Sequence, residues 1–81
     1  MFLIMKVIKY TRHARNRIRW RRITEEEIAS AITTPDFSEK TYNDLTNAWK
    51  RLSDKFLRIT YKEETETILI ITAVKKKKGW R

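Results

Sequence analysis

The sequence predicts an α+β domain in which two N-terminal helices pack on one face of a small curved antiparallel sheet, in the order β-α-α-β-β-β(-β). Two threonine-capped helix starts follow each other within residues 11–35, and one apolar segment precedes them. From residue 37 onward, alternating or β-branched segments separated by polar turns replace the helical pattern. The 81 residues suffice for one domain with a single modest core.

The apolar segment at residues 2–9 is predicted to be the first strand. Side chains alternate along a strand, so Leu3 and Val7 share one face. Ile4 and Ile8 share the other face. Apolar residues on both faces indicate that the strand is covered on both sides for part of its length.

The first helix is predicted at residues 12–21. Thr11 provides an N-cap side chain, and neither glycine nor proline occurs before the next cap at Thr24. At about 100° per residue, Ala14 and Ile18 form a narrow apolar stripe that contacts the rest of the protein. This helix and the residue after it contain six arginines and no acid.

One side of this helix is predicted to bind an anion. His13 falls in the first turn, where unpaired backbone N–H groups and the positive end of the helix dipole attract negative charge. His13, Arg17 and Trp20 share that side at helical spacing. The alternative is that His13 only orients the helix against a neighbouring strand. Trp20 and Trp49 are interpreted as partly buried packing residues rather than as platforms for base stacking.

A second helix is predicted to begin after Thr24, which has Glu27 at the spacing of a capping box. Three consecutive glutamates lie in its first turn, where the helix dipole favours them. Because capping explains these glutamates, they are interpreted as caps rather than as catalytic acids. The helix is expected to end at Thr34, since the residue before Pro35 avoids helical angles. Its apolar stripe consists of Ile28, Ala31 and Ile32.

The rest of the chain predicts an antiparallel meander. In the strand at residues 55–62, alternation directs Leu57 and Ile59 inward and Arg58 outward. The final strand is β-branched and almost entirely apolar, which predicts burial on both of its faces. The predicted strands, beginning with a weak edge strand, are residues 37–42, 48–52, 55–62 and 67–74.

Charge is divided unevenly along the chain, whose formal net charge is +9. Residues 1–22 contain eight basic residues and no acidic one, residues 23–47 contain six acidic and one basic, and residues 48–81 contain ten basic and four acidic. If the basic ends meet in the fold, they form a face suited to a nucleic acid or an acidic protein. The alternative is a charged surface that only keeps the protein soluble, as in thermophile proteins.

The composition limits the chemistry. The chain has no cysteine and one histidine, which excludes disulfides, thiolate metal sites and histidine-rich metal sites. Neither a metal ion nor another cofactor is therefore expected. The apolar start is interrupted by Lys6 and Lys9 and is too short for a signal-peptide core or a membrane span. We expect a cytoplasmic protein that does not contact a membrane.

Several short motifs stand out together: Thr11-x-His13-Ala14-x-x-Arg17, Arg22-Ile23-Thr24, a helix that ends at Pro35, and Ile70-Ile71-Thr72. With these motifs, almost the whole chain resembles the family of small proteins described as domain of unknown function DUF4258. That family is thought to be related to RelE/ParE-type toxins and other metal-independent ribonucleases, which share a helix pair packed on a small antiparallel sheet. The resemblance implies a single RelE-like domain over residues 1–81. It also implies a toxin that cleaves RNA, either on the ribosome or in free RNA. An acidic antitoxin protein would neutralise this toxin.

Metal-independent RNA cleavage requires a base for the 2′-hydroxyl, cations for the charged phosphorane and an acid for the leaving oxygen. Histidine is the side chain that ordinarily changes charge near neutral pH, and His13 is the only one. Arg17, one turn further on, can hold a phosphate through two hydrogen bonds. Arg51 and Arg58, on neighbouring predicted strands, are expected to project to the same surface. Thr72 matches the strand pattern of the DUF4258 family, and the resemblance implies that it donates a hydrogen bond. The predicted catalytic residues are His13, Arg17, Arg51, Arg58 and Thr72.

The basic residues of both ends are predicted to bind the nucleic-acid backbone. Trp80 lies in a basic tail, where it either stacks on a base or docks on the sheet. The predicted nucleic-acid-binding residues are Arg12, Arg15, Arg19, Lys75, Lys76, Trp80 and Arg81.

Two interpretations without catalysis stay open. With one histidine, a lysine, an arginine or water would have to protonate the leaving oxygen. The same basic face can instead hold phosphates of a nucleic acid without cleaving it. It can also dock an acidic protein partner, in which case neither binding nor cleavage of RNA is its role.

Overall fold

The computed structural model describes residues 6–77 and confirms the predicted α+β class and order of elements. Residues 2–5 of the predicted first strand lie outside the described residues, as do the predicted binding residues Trp80 and Arg81. The elements are β1 (Val7–Tyr10), α1 (Arg12–Arg21), α2 (Glu25–Thr33), β2 (Phe37–Lys40), β3 (Thr46–Arg51), β4 (Phe56–Glu63) and β5 (Thr67–Lys76).

The five-stranded sheet has the order β1-β5-β4-β3-β2. Strands β2 to β5 form the predicted antiparallel meander, with β2 at one edge. Strand β1 lies at the other edge and runs parallel to β5, from Val7 beside Thr67 to Tyr10 beside Ile70. The sheet is therefore mixed, which corrects the expectation of a purely antiparallel sheet. Parallel pairing requires a long crossover, and the helices and the meander between β1 and β5 supply it.

Both helices begin and end close to the predicted positions because their caps form. The Thr11 hydroxyl accepts a hydrogen bond from the Ala14 N–H at the start of α1, at 3.0 Å. Thr24 and Glu27 close a complete capping box at the start of α2, with distances of 3.0 and 3.1 Å. At the end of α1, Arg22 adopts the left-handed conformation, with φ 55° and ψ 45°, which glycine adopts at the least cost.

The hydrophobic core lies between the helices and one face of the sheet. The strand register places Ala48, Ile59 and Ala73 side by side on this core face, and all three are fully buried. Ala14 of α1 and Ile28 of α2 belong to the same buried cluster. The apolar stripes predicted for both helices are therefore the surfaces that contact the sheet.

The opposite face of the sheet, called the open face below, is covered by neither α1 nor α2. On this face Trp49 pairs with Arg58, and Arg58 pairs with Val74. Trp49 is buried, more completely than the partial burial expected of it, whereas Arg58 and Val74 are half-buried. Strand β5 is thus buried on the core face and only half-buried on the open face. This corrects the expected burial of both faces, because both helices pack into the cluster on the core face.

Strand β5 contains a bulge opposite β4. Thr60 pairs with Thr72, but the next residue, Tyr61, pairs with Ile70. Ile71 is therefore an extra residue in the register. Such bulges bend and twist a strand, and they are often found beside active sites.

Candidate functional site

The first turn of α1 is fixed to the bulge in β5. Thr11 donates its backbone N–H to the Ile70 carbonyl at 3.0 Å and its hydroxyl to the Ile71 carbonyl at 3.1 Å. The same hydroxyl caps α1, so Thr11 satisfies the helix start and the bulge together. His13 follows Thr11 by two residues, and Thr72 follows Ile71, whose carbonyl accepts the hydrogen bond of the Thr11 hydroxyl. The Thr72 side chain lies on the open face of the sheet, whereas α1 packs against the core face, so an approach of His13 to Thr72 stays a prediction.

His13 is exposed, as an anion-binding role requires, and Arg17 is half-buried. Trp20 is 77% exposed, so the expectation that it is partly buried is wrong. At about 100° per residue, His13, Arg17 and Trp20 span an arc of about 60° on the helix. Trp20 lies about 120° or more around the helix from Ala14 and Ile18, which form the buried stripe, and it therefore remains in solvent.

The arginines of α1 have no acidic partner in the described part of the chain. The ion pairs among residues 6–77 all use lysine, namely Lys6 with Glu63, Lys40 with Asp44 and Lys75 with Glu27. The predicted binding residues on this helix are all exposed: Arg12, Arg15 and Arg19. Because none of these arginines has a carboxylate within ion-pair distance among residues 6–77, the helix surface is suited to an external anion.

Two further predicted catalytic residues, Arg58 and Thr72, share the open face. Thr72 pairs with Thr60, and Arg58 lies two positions before Thr60 on β4. The guanidinium carbon of Arg58 lies 5.7 Å from the centre of the Trp49 ring, at cation–π distance. Its Nε atom is buried and has no hydrogen-bond acceptor among residues 6–77. Arg58 and Thr72 therefore occupy adjacent strands on one surface.

Arg51 lies on the open face but near the end of the sheet where β5 finishes. It pairs with Phe56, and Phe56 pairs with Lys76. Thr72 precedes Lys76 by four residues, which corresponds to roughly 13 Å along a strand. The structure thus groups Thr72 with Arg58 and places Arg51 nearer to Lys76. A direct approach of Arg51 to His13 stays a prediction.

The two predicted binding lysines at the end of β5 fall on opposite faces. Lys75 pairs with Leu57 on the core face, and its Nζ lies 3.8 Å from the Glu27 carboxylate. Since Glu27 also closes the capping box, Lys75 is held against α2. Lys76 pairs with Phe56 on the open face and is exposed. Of the two, Lys76 is the one whose surroundings suit a nucleic-acid backbone.

A cleft between the two helices was not predicted from the sequence. Its volume is about 280 Å³, and it is lined by Tyr10, Arg15, Ile18, Glu25 and Ile28. Burial raises the pKa of the Tyr10 hydroxyl above its ordinary 10.0, Glu25 raises it further, and Arg15 lowers it. The sequence shows Arg15 early in α1 and Glu25 at the start of α2, but whether the two line one cleft depends on how the helices pack. The mixed charge of this cleft distinguishes it from the arginine side of α1.

Side chains that hold metal ions do not cluster in the described part of the chain. Among residues 6–77 no three histidine, aspartate or glutamate side chains are placed to share an ion. Within the same residues, neither helix has the length and apolarity needed to span a bilayer.

The segment that contains these elements matches a known family. Residues 10–75 match the family model described as "Domain of unknown function (DUF4258)". The chain belongs to the DUF4258 family. The DUF4258 segment runs from Tyr10 to Lys75 and includes His13, Arg17 and both helices. No curated protein and no solved structure matches the chain. The relationship of DUF4258 to RelE/ParE-type toxins stays a prediction.

Proposed function

We propose that this DUF4258 protein is a toxin of a toxin–antitoxin pair that binds RNA and cleaves it without a metal ion. One observation carries the proposal: the exposed His13 lies on a helix turn fixed to the β5 bulge, on a helix whose arginines have no acidic partner among residues 6–77. A base beside uncompensated cations is the arrangement that attack on a phosphodiester requires. The expected relationship to RelE/ParE-type toxins supports the same reaction by analogy.

In the proposed reaction, His13 accepts the proton of a ribose 2′-hydroxyl as that oxygen attacks the adjacent phosphorus. The bond from phosphorus to the 5′-oxygen breaks, and the leaving oxygen takes a proton from water. The products are a 2′,3′-cyclic phosphate and a 5′-hydroxyl end. Arg17 follows His13 by one helical turn and holds the non-bridging oxygens through two N–H donors.

The sheet supplies the remaining groups. On the open face, Thr72 donates its hydroxyl to a phosphate oxygen of the bound RNA, and Arg58 adds positive charge from the neighbouring strand. Arg51 and Lys76, at the far end of β5, hold the RNA backbone beyond the scissile phosphate. A protein with this distribution of charge also fits an acidic antitoxin, which would cover the arginines of α1. An RNA substrate and such a partner place the protein in the cytoplasm.

Cleavage of end-labelled RNA by the purified protein in excess EDTA tests the proposal. We expect fragments that end in a 2′,3′-cyclic phosphate, because the attacking group is the 2′-hydroxyl. RNA of the same sequence with 2′-O-methyl groups is the matched control and should remain intact, since it lacks that nucleophile. If the unmodified RNA also remains intact at high protein concentration, the nuclease proposal fails.

The single histidine favours a second candidate function, which is RNA binding without cleavage. The described residues offer no other histidine to protonate the leaving oxygen. In this case affinity for RNA falls steeply with rising salt, because arginines release counterions from the phosphates. His13→Ala would then leave the affinity almost unchanged, which measurement of binding at several salt concentrations would show.

A further inference from the structure

Trp20 is the most exposed large apolar side chain on either helix among residues 6–77. It is 77% exposed, although tryptophan side chains usually bury most of their area. The other large apolar side chains exposed in residues 6–77 lie on strands or in a loop, namely Val7, Phe37 and Tyr42. The packing of the domain thus leaves an indole ring on the arginine-rich surface of α1.

The neighbours of Trp20 on the helix surface are polar or charged. Residues three and four positions apart are neighbours on a helix, which places Arg17 and Asn16 beside the ring on its N-terminal side. Arg19 and Arg21 flank it in the chain, and both are exposed. A protein-binding hot spot normally lies at the centre of a well-packed patch from which the surrounding contacts exclude water. A single aromatic ring among cations is instead the pattern that binds single-stranded nucleic acid.

The position of Trp20 relative to His13 fits a strand of RNA. Trp20 lies seven positions after His13 along the chain, which corresponds to roughly 10 Å along the helix axis. Arg17 lies between them in the same arc. An extended single strand on this side covers that length with about one or two nucleotides.

We propose that Trp20 stacks on a base of single-stranded RNA, about one or two nucleotides from the phosphate at His13, while Arg17 binds the phosphate between them. This inference rests on the proposed RNA binding and names its substrate class. In duplex RNA the bases are already stacked and the major groove is too narrow for side chains, so a duplex cannot place a base on Trp20. The site therefore selects unpaired RNA.

Binding of a labelled single-stranded 2′-O-methyl oligonucleotide, measured by fluorescence anisotropy, tests the inference without interference from cleavage. Trp20→Ala should weaken binding by about 5- to 150-fold, the range for loss of one stacked base. Trp20→Phe should retain most of the affinity, because it keeps an aromatic face. Tyr42→Ala is the matched control, since Tyr42 is 98% exposed in the loop between β2 and β3, and its loss should leave affinity unchanged.

An abasic scan identifies the contact directly. One base of the oligonucleotide is removed at a time, and the affinity of each abasic oligonucleotide is measured. Loss of the base that stacks on Trp20 should weaken binding to the wild-type protein, whereas loss of the same base should leave the affinity of Trp20→Ala unchanged. A matched duplex should bind several-fold more weakly than the single strand. Equal affinities of wild type and Trp20→Ala would overturn the inference, as would equal binding of duplex and single strand. It would also be overturned if Trp20→Ala lost affinity only for an acidic peptide such as polyglutamate.

Cleavage of unmodified RNA, measured in parallel, separates this inference from the nuclease proposal. A wild-type protein that binds through Trp20 without cutting RNA supports the stacking site and refutes only the nuclease. A protein that cuts RNA equally well with Trp20→Ala and binds the oligonucleotide unchanged refutes only the stacking site.

Discussion

The two helices of this protein have similar lengths and the same kind of threonine cap, but their polar surfaces differ. Helix α1 has ten residues with five arginines and no acid, and α2 has nine residues with three glutamates and no base. In α2, Glu27 closes the capping box and lies beside Lys75. In α1, no arginine forms an ion pair within residues 6–77. Glu27 of α2 therefore contacts its own fold, whereas the arginines of α1 form no ion pair within residues 6–77, as the proposed RNA or antitoxin binding requires.

The comparison shows that two highly charged helices can differ in whether that charge contacts the rest of the fold. The glutamates of α2 were interpreted as caps, and Glu27 takes that role in the structure. The exposed Trp20 strengthens the contrast, because its ring would be expected to pack against the protein if α1 were purely structural. The following substitutions test this division of roles, beginning with the largest expected effect.

His13→Ala should lower the rate of RNA cleavage by about 10²- to 10⁴-fold, the usual contribution of a general base. Glu26→Ala on α2 should leave the rate unchanged, since Glu26 is exposed and lies outside the capping box. Rates in EDTA provide the measurement, and circular dichroism confirms that both variants fold. Equal rates for His13→Ala and the wild type would remove His13 from the mechanism.

Ile28→Ala should lower the free energy of unfolding by about 2–5 kcal/mol, because Ile28 is fully buried and its loss leaves a cavity. Ile18→Ala on α1 should cost clearly less, since Ile18 is only half-buried beside the core. Urea unfolding of both variants measures the difference. A larger loss at Ile18 would mean that α1 is the main structural helix, contrary to the comparison.

Thr24→Ala should cost about 1 kcal/mol of stability through loss of the cap. Thr11→Ala should cost more, because the Thr11 hydroxyl also donates to the Ile71 carbonyl at the bulge. Only Thr11→Ala should also reduce cleavage, since only this cap positions His13. Thermal melts and cleavage rates distinguish the two caps, and equal loss of activity in both would contradict the proposed role of the bulge.

Replacing Arg12 and Arg19 together with alanine should weaken RNA binding and make its salt dependence shallower. For two lost contacts to a single strand, the slope of log affinity against log salt should change by about 1.4. Lys40→Ala is the control, because Lys40 lies on the edge strand β2 beside Asp44. An unchanged slope in the double variant would show that these arginines do not contact phosphates.

Arg22→Gly should have the smallest effect, a gain in stability of up to about 1 kcal/mol. Arg22 has φ 55°, which costs a non-glycine residue energy, although glycine loses more entropy on folding. Thermal unfolding measures the change, and RNA affinity measures the accompanying loss of one cation. A destabilised variant would show that the arginine contributes more through the helix dipole than its backbone conformation costs.

The helices and the alternation of β4 were predictable because their causes are local. The caps at Thr11 and Thr24 satisfy backbone N–H groups within three residues, and Pro35 follows the C-cap of α2, Thr34. Alternation likewise directed Leu57 and Ile59 to the core, and both are fully buried.

The candidate site was predictable only in part. Residue type and helix position selected His13 and Arg17 as candidates, and the arginine pattern predicted the exposed charge of α1. The exposure of Trp20, the separation of Lys75 from Lys76 and the cleft beside Tyr10 all depend on where distant segments pack. Helical spacing indicates which residues share a side, but it does not indicate which side the neighbouring elements leave open.

The sequence by itself therefore determined the helix boundaries, the core-facing residues of the helices and of β4, and the identity of the charged helix, because each follows from residues within a few positions of one another. Only the tertiary structure decided that β1 runs parallel to β5 and that Thr11 fastens α1 to the bulge at Ile71. Those contacts join residues about sixty positions apart, and their geometry depends on how the whole sheet twists and pairs.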